Sequence, residues 1–141
     1  MSGVKLTDIV EKMNLKNLTP EVDITEREVL VPDVNRPALQ LAGFFDHFDL
    51  NRVQIIGNVE CAYLETLAEE KRVEIYQKLL EHKVPCIIFS NELQPDESFI
   101  EIAQKNDIPV FGTCKKTSSF MGELIRWLNV KLAPCISIHG V

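Results

Sequence analysis

The sequence predicts an α/β protein, a three-layer α/β/α sandwich around a largely parallel or mixed sheet of about five strands. Three observations carry this expectation. Short continuous apolar runs recur, at Glu28–Val31, Val53–Ile56 and Cys86–Phe89, and such runs mark strands buried on both faces. Between them lie segments whose apolar residues fall at helical spacing. The two signals alternate from residue 28 to the end, as parallel strands joined by helical crossovers do.

Leu6, Ile9, Val10 and Met13 share one helical face, so a short helix starts at or just before Thr7. After a polar stretch through Pro20, Glu28–Val31 reads as the first buried strand, closed by Pro32. Asn35-Arg36-Pro37 then reads as a helix start, because Asn caps well and Pro fits the first turn. Leu41, Phe44, Phe45 and Phe48 form its apolar stripe. Val53–Ile56 is the next strand, ended by Gly57-Asn58. Two helices follow, one from Val59 to about Leu67 and one carrying Val73, Tyr76, Leu79 and Leu80. Pro85 introduces the strand Cys86–Phe89, and Pro95-Asp96 caps a helix through Phe99, Ile102 and Ala103 that ends at Asn106-Asp107. Val110-Phe111 is a short strand. Thr117 or Ser118 caps a last helix with the stripe Phe120, Leu124, Trp127 and Leu128, and Pro134 precedes an extended run, Cys135–Ile138.

A chain of 141 residues fits one domain, and 45% hydrophobic residues supply a core without a metal or disulfide staple. The net charge of -6 argues against a nucleic-acid face, which needs clustered Lys and Arg; Lys115-Lys116 is the densest pair and reads as a solvated loop. Met1-Ser2-Gly3-Val4 does not resemble a signal peptide, and no apolar stretch reaches the length of a membrane span, so the expected compartment is the cytoplasm. Cys61, Cys86, Cys114 and Cys135 make no Cys-x-x-Cys pair and read as reduced thiols, with no metal site expected.

Chemistry is sparse. Gly3, Gly43, Gly57, Gly112, Gly122 and Gly140 never fall into the Gly-x-x-x-x-Gly-Lys-Ser/Thr frame, which lets backbone N–H groups close on phosphates. They do not make Gly-x-Gly-x-x-Gly either. Gly57 follows a strand and precedes a helix, where a small anion could sit or where the turn is simply tight. Ser90, Ser118 and Ser119 have no base beside them in sequence. His82 suits the end of its helix, His47 borders solvent and His139 lies in a strand-like tail before Gly140. The most suggestive polar group is Asp33, Arg36 and Asp46. Asp33 and Arg36 flank a Pro-bounded turn and are read either as a ligand site or as an ion pair fixing the loop.

The segment Asp33-Val34-Asn35-Arg36-Pro37-Ala38-Leu39-Gln40-Leu41-Ala42-Gly43-Phe44-Phe45 resembles the Asp-x-x-Arg-Pro…Leu-x-Gly-Tyr/Phe-Phe signature of HPr kinase/phosphorylase amino-terminal domains. Arg52–Gly57, Pro85–Ile88 and Leu132-Ala133-Pro134…His139-Gly140-Val141 match further segments in order. Ala38 stands where family members commonly have Gly. The resemblance implies a bacterial enzyme longer than this chain, whose first domain is similar to that of the Mur ligases. A following P-loop domain uses ATP and Mg²⁺ to phosphorylate a serine of the sugar-transport carrier HPr, and removes that phosphate with phosphate or pyrophosphate. The family is typically hexameric and governs carbon catabolite repression through the phosphotransferase system. His139 alone matches a position of the family's active site. The expectation is therefore a non-catalytic structural or regulatory domain at residues 1–134, with 135–141 beginning the link to a catalytic domain. Its expected partners are that domain, neighbouring subunits and, through the parent enzyme, HPr. The alternative is a module sensing a sugar-phosphate or nucleotide-sugar near Asp33, Arg36 and Gly57.

Overall fold

The computed structural model describes residues 3–134. The chain runs β1 (Val4–Lys5), α1 (Leu6–Lys12), β2 (Lys16–Asn17), β3 (Glu28–Val29), β4 (Val34–Asn35), α2 (Ala38–Leu41), β5 (Val53–Ile56), α3 (Asn58–Glu65), α4 (Glu69–Leu80), β6 (Ile87–Phe89), α5 (Glu97–Lys105), β7 (Val110–Gly112) and α6 (Thr117–Leu132). Five strands form one sheet in the order β2-β7-β6-β5-β4. Neighbours from β4 to β7 pair in parallel, and β2 closes the far edge antiparallel to β7. The expected mixed, largely parallel five-stranded sheet is present.

Side chains on successive strand residues point to opposite faces, so a central strand with no polar face must be covered twice. Val53, Ile55, Cys86, Ile88 and Phe111 pack on one side against Ile9 and Met13 of α1 and Phe120, Leu124 and Leu128 of α6. Ile56, Ile87, Phe89 and Val110 pack on the other against Leu41, Leu64, Tyr76, Leu79, Leu80 and Phe99 of α2 to α5. These are the three layers. No helix among the described residues is long and apolar enough to cross a membrane.

Several expectations are corrected. Glu28–Val31 is not the first strand of the main sheet: only Glu28–Val29 is extended in a ladder, and it pairs antiparallel with Val4–Lys5 in a separate two-stranded sheet. Val29 is buried while Leu30 is 55% exposed, so the run has one buried face rather than two. The edge strand is instead Val34–Asn35, so Asn35, expected at a helix start, is a strand residue. Asn35 caps nothing; its amide donates to Gln40 Oε1 at 3.1 Å and Gln54 Oε1 at 2.7 Å, tying the edge to β5. The helix that follows has one turn and begins after Pro37, which is its N-cap. Gly43, at φ +100°, takes a left-handed conformation that only glycine adopts cheaply, and it breaks the stripe before Phe44.

Phe45 and Phe48 find a different partner. The Phe45 ring stacks on His82 at 4.6 Å and Phe48 meets it edge-on at 5.4 Å, pinning the loop to the end of α4. Phe44 stays 48% exposed. Lys16–Asn17 carries no apolar signal and was not expected as a strand. Lys116, not Thr117 or Ser118, is the N-cap of α6. The extended run Cys135–Ile138 lies outside the described residues.

Truncation separates stripe from core. Phe120→Ala, at a fully buried site, should lower unfolding free energy by about 3–5 kcal/mol, and Phe44→Ala by less than about 0.5. Urea melts check both, and equal costs would place Phe44 in the core.

Candidate functional site

Open α/β sheets bind ligands beyond the carboxyl ends of their parallel strands. Here that edge gathers Arg36 after β4, Gly57 after β5, Ser90 after β6, and the first turns of α3 and α6. Its centre is Glu60. The side chain is 2% exposed, and its Oε1 accepts from the Gly57 backbone N–H at 2.8 Å and from Arg36 Nη2 at 2.7 Å. Glu60 is the third helical residue after Gly57, the spacing at which a carboxylate reaches back to the N-cap donor. The same carboxylate lies at the positive end of the helix.

Close approach explains the glycine. Gly57 has extended backbone angles, but a Cβ there would lie 2.7 Å from Thr117 Oγ1 and 2.9 Å from Arg36 Nη2. Thr117 packs against Gly57 and belongs to a second hydrogen-bonded set: its Oγ1 is 2.6 Å from Ser90 Oγ and accepts from Asn91 Nδ2 at 2.9 Å. Ser90 is fully buried and donates to the Ile56 carbonyl at 3.3 Å, so Thr117 supplies the hydrogen between the two hydroxyls. The N-termini of α3 and α6 are thereby tied to β5 and β6. Arg36 Nε is buried with no hydrogen-bond partner among the described residues, beside the strong bond to Glu60.

Of the residues singled out in the sequence, Arg36 and Gly57 are brought together. Asp33 is not. It is exposed and makes no side-chain hydrogen bond or ion pair among the described residues, and the cation expected to pair with it is held by Glu60. Asp46 is exposed as well. His139 lies outside the described residues. Sequence reasoning missed Glu60, Ser90 and Thr117 as a set. The Gly57–Glu60 spacing was a legible signal; the pairing of Arg36 across 24 residues was not.

The arrangement is built for closure. Ser90 is without solvent access, and among the described residues its hydroxyl meets only the Ile56 carbonyl and Thr117, with no base to activate it. His47 is exposed, and His82 places Nδ1 2.9 Å from the Lys78 carbonyl within its aromatic stack. Among the described residues no group of three or more His, Cys, Asp or Glu could hold a metal ion.

A second polar cluster lies between α3, α4 and α5, around a cavity of about 180 Å³ lined by Cys61, Leu64, Arg72, Tyr76, Asp96 and Phe99. Asp96 is the N-cap of α5, yet its carboxylate accepts from Tyr76 Oη at 2.5 Å and Arg72 Nε at 3.1 Å instead of capping. Burial, then the Asp96 carboxylate, pushes the Tyr76 phenol well above its ordinary range. Burial, then Glu65 and Glu60, pushes the Cys61 thiol up to about 11. Burial alone lifts the fully enclosed Cys86 to about 12 against a small opposing effect of Arg27. Neither thiol is a nucleophile near neutral pH.

The family described as HPr Serine kinase N terminus matches residues 4–128. An HPr kinase/phosphorylase of Lachnoclostridium phytofermentans is 55% identical over 141 residues, all of this chain and 46% of the relative. That of Caldicellulosiruptor bescii is 41% identical over 94% of this chain and 42% of its own length. That of Bacillus subtilis is 32% identical over the whole chain and 45% of its own length. The chain thus spans about half the length of the curated relatives it matches. Among solved structures, the CBS and DRTGG domains of the regulatory region of Clostridium perfringens pyrophosphatase, complexed with diadenosine tetraphosphate, give a TM-score of 0.62. That likeness, at 22% identity over 89% of this chain and 47% of the other, shows a shared fold.

Two measurements test the site. Glu60→Ala strands the Gly57 N–H and the half-exposed Arg36 and should cost about 2–3 kcal/mol, whereas Glu60→Gln, which keeps an acceptor, should cost about 1. Chemical denaturation reads both, and equal costs would remove the charge from the account. With a maleimide followed by peptide mapping, exposed Cys114 should react first, Cys61 slowly and Cys86 only on unfolding. Early labelling of Cys86 would contradict its burial.

Proposed function

The chain belongs to the HPr serine kinase N-terminus family, and on that premise we propose that it serves as the non-catalytic amino-terminal domain of a bifunctional HPr kinase/phosphorylase. Residues 1–134 are the structural or regulatory unit, and 135–141 begin the link to a P-loop catalytic domain. In this reading the longer enzyme binds ATP and Mg²⁺, phosphorylates a serine of HPr and reverses that step, in the bacterial cytoplasm, as part of carbon catabolite regulation. Its partners are its own catalytic domain and neighbouring subunits of a homo-oligomer.

The observation that carries the reading is the closed carboxyl edge of the sheet. Phosphoryl transfer relies on positioning and on electrostatic stabilisation by backbone donors, a cation and metal ligands around the phosphates. At this edge the Gly57 N–H and the Arg36 guanidinium are both bound by Glu60, and the glycine frame that would cradle a nucleotide is missing from the sequence. A chain built this way contributes shape and contacts. Catalysis belongs to residues beyond it, with His139 as the one contribution to the active site from this side.

The ligand-sensing alternative is not favoured. A sugar-phosphate near Arg36 and Gly57 would have to displace a buried carboxylate from both. Asp33 stands apart.

Purified chain incubated with ATP, Mg²⁺ and HPr should yield no phosphoserine by mass spectrometry. Phosphorylation above that of HPr with ATP and Mg²⁺ alone would contradict the reading.

A further inference from the structure

The corner formed by α2 and α3 leaves an apolar face uncovered. Leu39 is 61% exposed, Val59 67% and Tyr63 39%, with Phe44 beside them. The Phe44 N–H donates to the Leu39 carbonyl at 2.9 Å, which holds those two side by side. Val59 and Tyr63 stand one turn apart on α3 and share its outer face. The two helices are joined beneath by the buried Leu41 and Leu64. Single exposed apolar residues are ordinary, but three on two contacting helices, with a fourth in the turn that follows α2, mark an interaction surface.

Its rim is acidic. Exposed Asp33, Asp46 and Glu65 stand one or two residues along the chain from the edge strand, Phe44 and Tyr63, and the cation Arg36 at the end of that strand is bound to Glu60. Two such faces meeting about a two-fold axis would set acid against acid, which disfavours a second copy of this chain. Each relative carries more than half of its length outside the match. Resting on the functional reading above, we infer that the Leu39–Phe44–Val59–Tyr63 face docks an apolar, basic-rimmed surface on that remaining portion of the longer enzyme. Val59 immediately precedes Glu60 and Tyr63 follows it by three residues, so the contact bears on the helix turn that closes the sheet edge.

Hydroxyl-radical footprinting tests this. The 141-residue chain is compared with a longer chain in which it replaces the matched region of the Lachnoclostridium phytofermentans relative. Oxidation of Leu39, Phe44 and Tyr63 should fall about fivefold in the longer chain, as expected for side chains entering an interface core, while Leu30 and Leu50 serve as exposed references. Phe44→Glu should leave the melting of the short chain unchanged and restore Leu39 oxidation in the longer one. Unchanged oxidation overturns the inference, as does shielding of the same residues in the short chain at high concentration, which would identify a second copy. Should the hybrid fail to fold, the unmodified relative, footprinted at the aligned positions, gives the same answers. HPr phosphorylation by the longer chain is read in parallel. Activity with an unshielded face sinks the docking inference alone, and an inactive but folded enzyme sinks the functional reading.

Discussion

One buried carboxylate organises the carboxyl edge of this protein. Glu60 is almost wholly out of water, and an isolated charge in that position would be untenable. It persists because three favourable effects converge: the Gly57 N–H, the Arg36 guanidinium and the positive end of α3. Each of those depends on another part of the chain. Arg36 reaches it only because β4 is the strand beside β5, and Gly57 allows the approach only because it lacks a Cβ. Thr117 fills the space left by that missing Cβ and is itself hydrogen-bonded to Ser90 at the end of β6. The edge at which related folds admit ligands is here a hydrogen-bonded seam.

The seam works because the sheet beneath it is rigid. β5, β6 and β7 are buried on both faces, and the two apolar layers meet through them. Packed cores transmit strain rather than absorb it. The first turn of α3 thus adjoins Glu60 and, at Gly57, Thr117 at the start of α6.

Much of the fold was legible in the sequence, and the reasons are local. β6 is a continuous apolar run and β5 is apolar but for Gln54, while α4, α5 and α6 show 3.6-residue spacing over two or more turns. The failures have tertiary causes. Lys16–Asn17 is a strand only because β7 offers it an antiparallel partner. Phe44, Phe45 and Phe48 keep helical spacing, yet Gly43 turns the chain and the His82 ring takes two of the three. Asn35 looked like a cap, but the amides of Gln40 and Gln54 drew it into the sheet. At the site, Arg36 and Gly57 stood out in the sequence, but what joins them was not legible there: a glutamate 24 residues from Arg36, and not Asp33, holds the guanidinium.

The central claim is that the carboxyl edge is sealed by its own side chains. Backbone amide NMR of the isolated chain, titrated with ATP–Mg²⁺ and then with a nucleotide-sugar, addresses it directly. The Gly57, Glu60, Ser90 and Thr117 amide signals should stay fixed through millimolar ligand. Saturable movement of those signals would mean that the seam opens to a ligand, and the account would fail.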